Sequence, residues 1–99
     1  MANDEHVALL KQGVAAWNKW RDENANIRPN LNEADLHEAN LSEVNLNEAD
    51  LIRANLSAAN LSAAFLSRAF LAGADLSGAN LIDAQDAHLK PAHEQTCRG

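Results

Sequence analysis

A chain of 99 residues with 46% hydrophobic and 22% charged content holds material for one small core, which excludes a two-domain enzyme. Its 14 acids against 8 bases give a net charge of −6, which opposes direct binding to a nucleic-acid backbone, and the single Cys97 excludes an internal disulfide and a cysteine-rich zinc site. No basic flank followed by a continuous apolar stretch opens the sequence, so neither secretion nor a membrane span is expected and the cytoplasm is the expected location.

Residues 4–24 read as an amphipathic helix. Val7, Leu10, Val14 and Trp17 recur at helical spacing, Leu9, Ala16 and Trp20 widen the same half, and Lys11, Asn18 and Lys19 occupy the other. Asn3 or Asp4 is suited to cap its start. Gly13 lies on the apolar half, where a missing side chain permits close approach. The helix is expected to cover the beginning of the segment that follows it.

That segment, 29–83, has a period of five, and it carries all six surplus negative charges. Leucine recurs from Leu31 to Leu81 eleven times without a slip. Two residues earlier stands Pro29, Val44 or an alanine such as Ala34 and Ala79; the residue just before each leucine is Asn or Asp in nine units, with Phe65 and Phe70 as the exceptions. On a helix a five-residue step rotates each leucine by about 140° and scatters the set. On a strand an odd step sends alternate leucines to opposite faces. A chain that turns through a right angle every five residues instead aims every leucine, and the small residue two before it, at one axis. Four units then close a coil, and eleven make about 2.75 coils.

The stretches Ala34-Asp35-Leu36 and Ala74-Asp75-Leu76-Ser77-Gly78-Ala79-Asn80-Leu81 resemble the pentapeptide-repeat family. The resemblance implies an all-β solenoid, a right-handed quadrilateral β-helix with the leucine and the small residue inward and the other three positions facing water. Trp17-Asn18-Lys19-Trp20-Arg21 and Ile27-Arg28-Pro29-Asn30-Leu31 resemble the segment that caps the repeats of many bacterial, notably cyanobacterial, members. The expected organisation is a capping helix and connector over 1–28, the β-helix over 29–83 and a polar tail over 84–99.

Residues twenty apart share a face one coil apart, so surface columns follow from the numbering. Glu33, Glu38, Glu43 and Glu48 form an acidic ring, one carboxylate per side; Arg53, Ala58, Ala63 and Arg68 take the same slot in the next coil. Ion pairs are expected between Glu33 and Arg53 and between Glu48 and Arg68. Outward, diverging carboxylates do not make a metal site. Asp35, His37 and Ser57 have the composition of a catalytic triad, but a flat wall lacks the pocket and directed amides of one. His88, His93 and Cys97 match no usual zinc spacing. Neither cofactor nor catalytic residue is expected.

Two features point toward a protein partner or a second subunit. Phe65 and Phe70, with Arg68 between them, place aromatic rings at outward positions and make an apolar corner that is either a contact for a partner or second subunit or is covered by the C-terminal tail. The last coil leaves the tops of Leu66, Leu71, Leu76 and Leu81 uncovered, and the tail is too polar to cover them well, so a second copy, as in a homodimer, or another domain of a longer chain is expected there. The reading is a noncatalytic protein–protein interaction or scaffold module. The alternative, also implied by the resemblance, is an acidic mimic of duplex DNA that regulates a DNA-binding protein such as gyrase, a task for which under three coils is short.

Overall fold

The computed structural model describes residues 2–85. Two helices, α1 (Asp4–Lys11) and α2 (Val14–Glu23), precede a coil that turns at every fifth residue from Asn30 to Gln85. Each turn closes with the N–H of the small residue donating to the carbonyl of the leucine three before it, from Ala34 to Leu31 at 3.0 Å through Ala84 to Leu81 at 3.0 Å. Because only one residue per side is extended, the described residues contain isolated parallel bridges and no continuous strand.

The bridges set the register at twenty residues per coil and divide the coil into four walls. Asn30, Asp50 and Phe70 pair up the first wall; Asp35, Asn55 and Asp75 the second; Asn40, Asn60 and Asn80 the third; Asn45, Phe65 and Gln85 the fourth. Backbone bonds of 2.7–2.9 Å join successive coils, as in Leu31 N–H to the Asp50 carbonyl and Asp50 N–H to the Pro29 carbonyl. The ladder runs on to Gln85, whose N–H donates to the Ala64 carbonyl at 2.9 Å.

Nine of the eleven leucines are buried in one core with Pro29, Val44 and most of the small residues two positions before them. Stacked leucines recruit dispersion from like neighbours above and below, and each wall is coupled to the next coil by hydrogen bonds, so stability is of nearest-neighbour type.

The expected single helix over 4–24 is two helices. Gly13 has φ +129° and ψ 160°, a backbone region open essentially to glycine alone, and it turns the chain between them. The close approach anticipated there is absent, because a Cβ added at Gly13 meets nothing within 4 Å. Of the two proposed caps, Asn3 is the one used. Its side chain accepts from Glu5 N–H at 2.8 Å and His6 N–H at 3.2 Å, satisfying two of the donors left free at a helix start.

The helices dock on the lower edge of the first coil and satisfy its backbone on two walls. On the fourth wall, Trp17 Nε1 donates to the Asn45 carbonyl at 2.7 Å, the Asn18 side chain accepts from Asn45 N–H at 2.8 Å, and Arg21 Nη2 donates to the Asn47 carbonyl at 2.7 Å. On the first wall, Asn3 N–H donates to the Asn30 carbonyl at 3.0 Å, and Asn30 N–H donates to His6 Nδ1 at 3.0 Å.

Candidate interaction surface

The outward positions are shaped by a local rule of the turn. In nine units the Asn or Asp before the leucine accepts, through Oδ1, the N–H of the residue two ahead at 3.0–3.3 Å, as from Asn32 to Asn30 and from Ser77 to Asp75. Such a side chain holds the entry to the turn and spares the amide desolvation. The third outward position, two after each leucine, has φ between +58° and +72° in all eleven units, from Glu33 to Asp83. Sequence reading missed this requirement; Gly73 and Gly78 in that slot were its signal.

The acidic ring therefore occupies four left-handed corners, at φ +60° to +65°. Glu33 Oε2 lies 3.9 Å from Arg53 Nη1 and Glu48 Oε2 lies 3.8 Å from Arg68 Nη1. These are the expected pairs, each exposed and contributing about 0–1 kcal/mol. Ala58 and Ala63 stand one coil above Glu38 and Glu43, so only half of the ring faces an arginine. No cluster of three or more metal-ligating side chains occurs among the described residues; His88, His93 and Cys97 lie outside them.

Asp35 and His37 do meet, with Oδ1 2.8 Å from Nδ1. The carboxylate raises the imidazole pKa above its ordinary value, chiefly through that hydrogen bond, and the His37 side chain and backbone hold the Asp35 pKa below its own. Ser57 does not join them. Its hydroxyl donates to Asn55 Oδ1 at 2.7 Å, which leaves an exposed ion pair with no nucleophile beside it.

Phe65 and Phe70 break the Asn/Asp rule and stand exposed, at 39% and 44% of their full areas. Phe65 lies on the fourth wall and Phe70, five residues on, on the adjoining first wall. With no acceptor on Phe65, Ser67 N–H turns to Asn47 Oδ1 one coil below, at 2.9 Å. A second cation joins this corner. Arg68 reaches toward Glu48, whereas the Arg28 guanidinium, from the connector, lies 4.7 Å from the centre of the Phe70 ring, within the range of a cation–π contact.

The upper end is less open than the sequence suggests. Leu66 and Leu81, expected to be uncovered, are buried; Leu71 and Leu76 are partly exposed. The physical reason is that the fourth wall continues above Leu66, whose N–H donates to the Gln85 carbonyl at 2.9 Å, and that Ala84 packs on the core beyond Leu81. Leu71 and Leu76, next to Phe70, thus remain the core leucines with exposed surface at this end, beside the outward-facing Ile82 at 60%. At the lower end, a groove of about 420 Å³ lies between the α1–α2 turn and the second and third walls, lined by Leu10, Leu36, Leu41, Lys11, Asp35 and His37 among others.

No helix among the described residues is long and apolar enough to cross a membrane. Comparison with curated proteins finds no match. Among solved structures, the chain is similar to alr5209, a pentapeptide repeat protein from Nostoc Pcc 7120, at 32% identity over 72% of this chain and 73% of that one, with a TM-score of 0.35. The family model for pentapeptide repeats matches residues 29–64 and 54–85, in eight copies. With the twenty-residue register and the leucine core already in place, the family-model match, which spans more than half of the chain, establishes that the chain belongs to the pentapeptide-repeat family.

Proposed function

We propose that this protein is a noncatalytic interaction module, a right-handed four-sided β-helix that engages a protein partner or a second copy through the corner formed by Phe65, Phe70 and the adjoining Leu71 and Leu76. One observation carries the reading: the only two repeat units that give up the turn-holding Asn or Asp do so for aromatic rings, and both rings stand exposed on adjoining walls. Each substitution forgoes a local hydrogen bond, and exposed aromatic side chains backed by an arginine are the chemistry of protein contact sites. Half of the acidic ring is faced by arginine, which weakens the charge pattern that imitation of duplex DNA requires.

The test is light scattering across a concentration series, with capture of partners on immobilised protein, for the wild type and for Phe65→Asp/Phe70→Asp. The wild type is expected to self-associate or to retain a partner that the double variant loses. Unchanged mass and unchanged capture in a folded double variant overturn the reading.

A further inference from the structure

The lower end carries a contact that works in only one protonation state. Asn30 N–H, on the free edge of the first wall, donates to His6 Nδ1 at 3.0 Å. That nitrogen must carry a lone pair, so the ring is neutral when α1 is docked. On protonation Nδ1 becomes a donor, and two N–H groups face each other at hydrogen-bond distance. The ring also rests against Trp20 of α2, with centroids 5.0 Å apart, which holds one of its faces.

We propose that α1 is an acid-released lid on the lower end of the coil, latched by neutral His6 and hinged at Gly13, while α2 stays docked. The hinge is present in the backbone: Gly13 has φ +129° and open space around it. The anchoring of the two helices differs in kind. Trp17, Asn18 and Arg21 hold α2 to the fourth wall through groups that do not titrate near neutrality. On the α1 side, the N-cap Asn3 donates its N–H to the Asn30 carbonyl and His6 of α1 accepts from the Asn30 N–H. Release of α1 uncovers Leu10 and joins the first wall to the groove along the second and third walls.

The charges around the latch favour acid opening. Burial disfavours the imidazolium and lowers the His6 pKa, Arg21 of α2 acts the same way, and Glu5 of α1 opposes both. The facing residue on the coil, Asn30, is uncharged. At the other end of α1, Lys11 lies within electrostatic reach of Asp35 and His37, and protonation of His37 adds a second like charge there. A neutral-state latch is fully in force above the ordinary histidine value of 6.5 and loosens as pH falls below it.

Amide hydrogen exchange followed by NMR on the intact protein, corrected for intrinsic rates, tests the device. Between pH 7.5 and 5.5 the Asn30 amide is expected to lose protection, its opening constant rising by up to about tenfold per pH unit as one proton is taken up. The Asn45 amide, bonded to Asn18, keeps its protection. His6→Asn supplies a non-titrating acceptor and abolishes the pH dependence at Asn30; His37→Asn retains it. The proposal is overturned if Asn30 protection is flat with pH, if it falls equally in His6→Asn, or if Asn45 opens in parallel.

Discussion

At the residue scale, the repeat asks most of the position two after each leucine. A left-handed backbone costs a non-glycine residue about 1–2 kcal/mol, and nine of the eleven corners hold such residues, among them Ala58 at φ +59° and Ala63 at φ +58°. Glycine removes that strain but adds about 0.4–1 kcal/mol of unfolded-chain entropy. Ala58→Gly is therefore expected to stabilise by about 0.5–1 kcal/mol. The reverse change, Gly78→Ala, places a Cβ at an ordinary 3.8 Å from Ala58 and should cost a similar amount through φ alone. Urea unfolding checks both, and equal signs would refute the strain argument. A second prediction concerns His37. Its pKa is raised by Asp35, so its contribution to stability is present below 6.5 and is lost as pH rises through the raised value. The lowered pKa of Asp35 gives a contribution present above 3.8 and lost as pH falls through its own value, so the pair acts between the two. An NMR titration should place the His37 midpoint above 6.5 in the wild type and lower in Asp35→Asn.

At the element scale, the cap is joined to the coil by polar contacts aimed at one edge. Trp17 is fully buried and its Nε1 donates to the Asn45 carbonyl at 2.7 Å. Trp17→Phe keeps an aromatic ring but strands that carbonyl and leaves space beside it, which should cost about 2–4 kcal/mol in chemical unfolding; a cost under about 0.5 kcal/mol would mean that the bond contributes little. Arg21, 5% exposed, works alongside it through the Ile27 and Asn47 carbonyls. These contacts show why the coil was legible in the sequence and the cap only in outline. The leucine and alanine slots repeat, so one physical condition is stated eleven times over. Asn18 with Asn45, Arg21 with Asn47 and His6 with Asn30 are single pairings between distant positions, and no periodicity marks them. The break at Gly13 was hidden for a related reason: Val7, Leu10, Val14 and Trp17 keep helical spacing across it, because both helices turn an apolar side to the same coil. Arg28 over Phe70 escaped notice because the connector had no register from which to place it.

At the scale of the whole molecule, a short stack with one end capped by helices should be firm at that end and loose at the other. The second wall contains the column Leu36, Leu56 and Leu76, one per coil. Leu56 has a leucine below and another above and is fully buried; Leu36 is buried beneath the cap; Leu76 is partly exposed with no described coil beyond it. Truncating a buried leucine removes its transfer free energy and leaves a cavity, about 2–5 kcal/mol, whereas a partly exposed one has less to lose and can relax. Leu56→Ala is therefore expected to cost about 3 kcal/mol and Leu76→Ala about half of that. Because neighbouring coils are coupled and distant ones are not, the two variants should also differ in what they loosen. Leu76→Ala should release the bond from Leu56 N–H to the Asp75 carbonyl while leaving that from Leu36 N–H to the Asn55 carbonyl slow to exchange. Leu56→Ala should release both, since it weakens the coil on which each depends. Amide exchange resolved by residue distinguishes this gradient from a uniform, all-or-none opening, in which either variant accelerates the two amides by the same factor.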